Sequence, residues 1–134
     1  MLNKACGMAV VGEELFVCDY HNDRLQVFSL AGEHRRSITG EWKRPAALCF
    51  VKDRLFLVES CVDDEYGPCK DNLACGRRIC VLSLQGKTLQ VYPVPAEGIR
   101  FSGTPIYFDS KLLVSYVYRD RSRARSAIVA LRGA

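Results

Sequence analysis

The sequence predicts an all-β fold: a partial β-propeller of about three four-stranded blades, the last incomplete. Three observations predict it. One pattern of short apolar stretches recurs at a spacing of roughly 40 residues, the mark of blades. The stretches are rich in β-branched, aromatic and Leu residues and are bounded by turn residues. No window carries a helical period.

The first unit spans residues 5–40. Gly7-Met8-Ala9-Val10-Val11 is short and apolar, as an innermost strand should be. Gly12-Glu13 turns the chain into a second strand, Glu14–Asp19, and Arg24–Leu30 forms the third. In that strand Leu25, Val27 and Ser29 lie on one face and Gln26, Phe28 and Leu30 on the other. The apolar content of both faces fits a blade packed between neighbours. Ala31-Gly32-Glu33 is a turn signal, and Arg35–Gly40 reads as a polar outer strand. The second unit, 46–92, repeats the order with Ala47–Val51, a Lys52-Asp53 turn, Arg54–Glu59, Arg78–Leu84 and Thr88–Tyr92. It carries an insertion, 60–77, between its second and third strands. Pro93, Pro95 and Gly98 form a linker, because proline ends a hydrogen-bonded ladder. The third unit, 103–133, offers Pro105–Phe108, Lys111–Tyr116 and Ala127–Leu131 and no outer strand.

The first unit resembles an NHL repeat. Its Gly-Met-Ala-Val opening, the strand ending in Asp19, the run Asn22-Asp23-Arg24-Leu25-Gln26-Val27-Phe28, and Gly32 match that family's order of elements. Residues 7–40 match strongly, 46–92 match in both strand cores, and 103–133 match in outline without the Asp and Asn-x-Arg residues. The resemblance implies four-stranded blades, often six to a ring. Three blades leave two sheet faces uncovered. The expectation is therefore either that two chains complete one ring by self-association or that the sequence is part of a longer protein.

Composition sets outer bounds. With 49% hydrophobic and 25% charged residues over 134 positions, the sequence matches an ordinary globular domain, here a single segment 1–134. No apolar run approaches the roughly 18 residues of a membrane span. No signal peptide is visible at Met1–Gly7; this leaves the compartment open and favours the cytoplasm. The net charge of +4 permits an anionic partner without requiring one.

Seven cysteines leave an odd one unpaired. Cys18, Cys49 and Cys80 fall in apolar strand patterns and read as small buried hydrophobes. Cys61, Cys69 and Cys75 lie in the insertion. Their spacing lacks the close pairs of a zinc knuckle, so no metal site is expected. A disulfide clasp drawn from Cys61, Cys69, Cys75 and Cys80 and a loop with free thiols stand as equal alternatives.

Connections between second and third strands all open on one end of a propeller. Here they are 20–23, 60–77 and 117–126. Long loops on a rigid frame carry function, so this end is the expected binding surface, with Arg119, Arg121, Arg123, Arg125, Asp63, Asp64 and Tyr66 as its candidate residues. Arginine at every second position would, in an extended chain, set four guanidinium groups on one side, ready for carboxylates or phosphates. The plainer alternative is a solvated hairpin facing Asp63, Asp64 and Glu65. Some NHL propellers bind RNA through a basic face, and Tyr116 and Tyr118 adjoin the arginines.

Asp19, Asn22 and Arg24 belong to the repeat, so bracing the turn is their expected task, with Arg24 pairing Asp19. Catalysis needs a nucleophile beside an oriented base or a metal with open positions. His21 and His34 fall at opposite ends of one strand, and the histidine ring of metal-dependent NHL-like lyases has no counterpart. Trp42 reads as a packing residue between blades. The expectation is a non-enzymatic binding or scaffold module without cofactor, engaging a protein through the loop end. The alternatives are a segment of a propeller enzyme whose catalytic residues lie elsewhere, and an RNA-binding propeller using residues 119–125.

Overall fold

Tight two-residue turns and period-two apolar patterns force this chain up and down in short antiparallel strands. The computed structural model describes the backbone of residues 2–59, 78–93, 100–120 and 123–131, and the side chains of residues 2–59, 78–93 and 104–115. The first sheet runs β1 (Ala5–Val11), β2 (Glu14–Asp19), β3 (Arg24–Ser29), β4 (His34–Ile38), with a 3-10 turn at Tyr20–Asn22. The second runs β5 (Pro45–Val51), β6 (Arg54–Glu59), β7 (Arg78–Leu82), β8 (Thr88–Pro93). The third holds β9 (Arg100–Phe108), β10 (Lys111–Asp120) and β11 (Arg123–Leu131), with β10 central. Every pairing is antiparallel between chain neighbours. The fold is all-β, a partial propeller of two four-stranded blades and a third of three strands.

The blades stack through their faces. Phe16, Cys18, Leu25 and Val27 of the first blade meet Leu48, Leu55, Leu57, Cys80 and Leu82 of the second, with Ile38 and Trp42 completing the cluster. The alternate residues of the second blade, Ala47, Phe56, Val58, Ile79 and Val81, meet Leu112 and Val114 of the third. Period two thus sends neighbouring residues of β6 and β7 into different interfaces, each fully buried side chain contributing about 1.5–3 kcal/mol. The innermost strands β1, β5 and β9 contact in succession. Gly7 lets β1 approach β5 closely: a Cβ there would lie 2.9 Å from Ala47 Cα.

The turns repeat as faithfully as the strands. In the first blade Ser29 N donates to Glu33 O, Gly32 N to Ser29 O, and Glu33 N to Ser29 Oγ. In the second, Ser83 N donates to Lys87 O, Gly86 N to Ser83 O, and Lys87 N to Ser83 Oγ. The turn requires a left-handed residue, supplied by Gly32 at φ +92° and Gly86 at φ +93°.

Most expected strands fall within two residues of those observed, and Glu14–Asp19 and Arg54–Glu59 coincide with β2 and β6. The third unit departs furthest. β9 begins at Arg100, β10 runs on to Asp120 and β11 starts at Arg123. Residues 117–120 and 123–126, expected in a loop, are therefore strand. Pro93, expected in the linker, ends β8, an edge strand, and Pro105, expected to open the inner strand, lies within β9, also an edge. Among the described residues, no helix is long and apolar enough to cross a membrane.

The β5–β6 turn places both Lys52 (φ 49°) and Asp53 (φ 65°) in the left-handed region, as a type I′ hairpin demands. Left-handed backbone costs a non-glycine residue about 1–2 kcal/mol, and glycine's extra chain entropy returns about 0.5–1 of that. Asp53→Gly should raise stability by about 0.5–1 kcal/mol, read as a rise in the urea midpoint at unchanged m-value.

Candidate binding face

The end of the propeller that carries the β2–β3 turn is organised by a buried carboxylate. Asp19 closes β2 with its side chain fully buried. It accepts from the backbone N–H of Asn3 at 2.6 Å, from Asn22 Nδ2 at 2.9 Å and from Arg24 Nε at 2.7 Å. One group thereby ties the end of β2, the start of β3 and the segment entering β1. Burial pushes the Asp19 carboxyl up, but the Asn3 N–H, the Asn22 amide and Arg24 together outweigh it and hold the group below its ordinary value.

The second blade builds the same clasp with a longer acid. Glu59 closes β6, equally buried. Arg78, opening β7, donates through Nε at 2.6 Å and Nη2 at 3.2 Å, a two-pronged pair. Lys43 N donates to Glu59 Oε2 at 2.6 Å. Asn3 and Lys43 each stand four residues before the matching positions Gly7 and Ala47 of the inner strands, so the architecture is repeated and only the carboxylate's reach differs. Hydrogen bonding to Glu59 raises Arg78 above its already high value.

Beside the first clasp lies a polar cavity of about 320 Å³ lined by Asn3, Tyr20, His21, Asp23 and Arg44. Tyr20 is 2% exposed, and its hydroxyl is buried without a hydrogen-bond partner among the described residues. The His21 ring stands edge-on to it at 4.9 Å, and Lys4 Nζ sits 4.5 Å over the Tyr20 ring. Asp23, in the left-handed region at φ 52°, accepts from Arg44 N at 2.6 Å and so fixes the cavity wall to the interblade linker. A buried hydroxyl without a partner costs about 1–3 kcal/mol, and this one is sealed from solvent behind the cavity lining.

The arginine segment forms a β-ribbon. Val117↔Ser126, Tyr118↔Arg125, Arg119↔Ala124 and Asp120↔Arg123 are cross-strand pairs of β10 and β11. Paired positions share one face of a sheet. Positions 123 and 125 therefore share the face of 120 and 118, and position 119 falls on the other. The register therefore separates position 119 from positions 123 and 125, which corrects the expectation of four arginines in one file. Arg121 lies outside the described residues, as do Asp63, Asp64 and Tyr66, with the rest of 60–77.

Cys61, Cys69 and Cys75 also lie outside the described residues. Cys80 is a free thiol in β7, fully buried against Leu55, Leu57 and Leu82. Its inclusion among disulfide candidates is therefore corrected: its strand parity points it into the interface between the first and second blades. Burial pushes the Cys18 and Cys80 thiols up to about 12, and raises Cys49 and Cys6 less. Cys6 is exposed.

Sequence reasoning missed a third polar group, on the uncovered face of the first blade. With its amide oxygen toward Arg24 Nε and Nη2 at 2.9 Å, Gln26 turns its nitrogen to His34 Nε2 at 2.7 Å and Ser37 Oγ at 2.5 Å. The register pairs Gln26 with Ser37 and Phe28 with His34, a neighbourhood visible only once β3 and β4 are aligned across a bulge. Trp42 is fully buried in the interblade core, away from this cavity's lining. No family model matches the chain, and no curated protein matches it.

Two outcomes are expected. Asp19 has a folded-state value below the unfolded one of about 3.9, so its stabilisation is complete above that pH and is lost as pH falls through the lower folded value. Asp19→Asn should cost about 2–3 kcal/mol at pH 7, the low end for a broken buried pair because Arg24 is partly solvated. The gap between wild type and Asp19→Asn in urea midpoints should close as pH falls below about 4. Separately, thiol labelling of the native protein at pH 8 should modify Cys6 before Cys18 and Cys80. Cys18 and Cys80, with thiolate fractions on the order of 10⁻⁴, should react only on unfolding.

Proposed function

We propose that this chain is a non-enzymatic binding module of NHL type, a propeller scaffold whose protein partner seats on the end bearing the β2–β3 turn, residues 60–77 and the β10–β11 ribbon. The observation that carries the reading is the polar cavity beside the Asp19 clasp. A polar recess lined by Asn3, His21, Asp23 and Arg44 and fixed to a rigid frame suits capture of a protruding polar side chain or backbone carbonyl. The ribbon beyond Val117 adds a second contact element, extending past the last β9 pairing by three residues of β10, roughly 10 Å.

Photo-crosslinking tests this reading. A benzophenone side chain placed at His21 should trap one defined protein, and the same group at Glu33, on the turn at the opposite end of β3, should not. Equal trapping at both positions, or none at His21, removes the proposal. An anisotropy titration with single-stranded RNA at 50 mM salt should show no binding. Binding that weakens steeply with salt and is lost in Arg119→Glu/Arg125→Glu would favour the RNA reading instead.

A further inference from the structure

The blades of this chain have a leading and a trailing face, and the inner strand of one of each is exposed. In the second blade the leading face, Leu48, Phe50, Leu55, Leu57 and Leu82, packs on the first blade. In the third, Leu112 and Val114 do the same against the second. The register assigns the equivalent leading face of the first blade to Met8, Val10, Leu15, Val17 and Phe28: Met8 stands opposite Val17, Val10 opposite Leu15, and Leu15 opposite Phe28. Met8 is 63% exposed and Val10 57%, Leu15 and Phe28 are half-buried, and Val17 is buried, so the exposed part of this face is its inner strand. The trailing face of the third blade is Ile106, Phe108 and Leu113, with Ile106 opposite Leu113. These are the counterparts of Cys49, Val51 and Phe56, which pack in the joint between the second and third blades. Ile106 is 58% exposed and Phe108 69%.

We infer that the leading face of the first blade docks the trailing face of the third blade of a second copy of this chain, head to tail. The occupant follows from continuity with joints the chain already makes. Twice within one molecule a trailing face covers a leading face of this register, and the exposed pair are the same two surfaces. A like-with-like contact would instead oppose two leading faces, a pairing found at neither internal joint. Head-to-tail contacts close into rings when the rotation permits. Propellers close with about 4–8 blades, so two copies, about six blades, complete a ring and three copies, about nine, do not. The apolar half of each face lies on the inner strands, where neighbouring blades approach most closely. The Gln26, His34 and Ser37 group occupies the outer half of the leading face, beside a cavity of about 630 Å³ lined also by Leu2, Arg24 and Phe28.

Charge placed on each face separately tests the inference. The purified chain should have twice its monomer mass by light scattering at micromolar concentration. Val10→Glu and Phe108→Glu, both at exposed positions, should each be monomeric with an unchanged far-UV spectrum. Mixed in equal amounts, they should form a heterodimer, because Phe108→Glu keeps a sound leading face and Val10→Glu a sound trailing face. A monomeric wild type overturns the inference. So does a mixture that stays monomeric, or a Phe108→Glu protein that still dimerises alone, which would mean the leading faces pair with each other. If a variant loses its β spectrum, Met8→Lys and Ile106→Lys replace the pair with the same expected pattern.

Discussion

A carboxylate buried at the end of the second strand is the constraint on which each complete blade depends. Asp19 and Glu59 each add side-chain bonds where three chain segments meet: the end of their own strand, the arginine that opens the next, and the backbone entering the inner strand. Burying a charge is costly unless every lone pair is met. Here the cost is offset by charge-assisted bonds at 2.6–2.7 Å. The clasp does more than brace a turn. By taking up the N–H of Asn3 and of Lys43, it sets where each inner strand starts and so where one blade lies against the next.

The third blade shows what happens without it. At the positions matching Glu59 and Arg78 the register puts Tyr116 opposite Ala127, so neither the acid nor the arginine is present. Nothing ends the strand pair there, and β10 and β11 continue as a ribbon through Asp120 and Arg123. The loss of two polar residues thus converts a closed blade end into a projecting element at the proposed binding end.

Much of the fold was legible in the sequence because the repeat is short-range. Strand cores, turns and the blade order follow from period-two patterns interrupted by Gly12, Gly32, Lys52-Asp53 and Gly86. The Asp19–Arg24 clasp was legible for the same reason, its partners being five residues apart. Its twin was hidden: residues 60–77 separate Glu59 from Arg78, and a glutamate stands where the first copy has an aspartate. The polar cavity was not legible, since Asn3, Tyr20 and Arg44 converge only when the linker folds back on the first blade. The arginine run misled because alternation was carried from one strand into the next. Positions paired across two strands face the same way, as 120 and 123 do, so 119 and 123 cannot.

The same geometry makes the burial uneven. The second blade is covered on both faces, and its strands β6 and β7 contribute every alternate residue to one core or the other. The first and third blades are each covered on one face. In a stack whose energy is mainly a sum of nearest-neighbour interfaces, the middle unit is held by two and the end units by one. Leu57 and Val58 illustrate the coupling: adjacent in the chain, they anchor different joints, so a distortion of β6 is transmitted to both neighbours. The buried Glu59 follows directly after them. The second clasp therefore holds in register the one strand on which both interfaces rest, and it is the interaction whose loss would propagate furthest through the molecule.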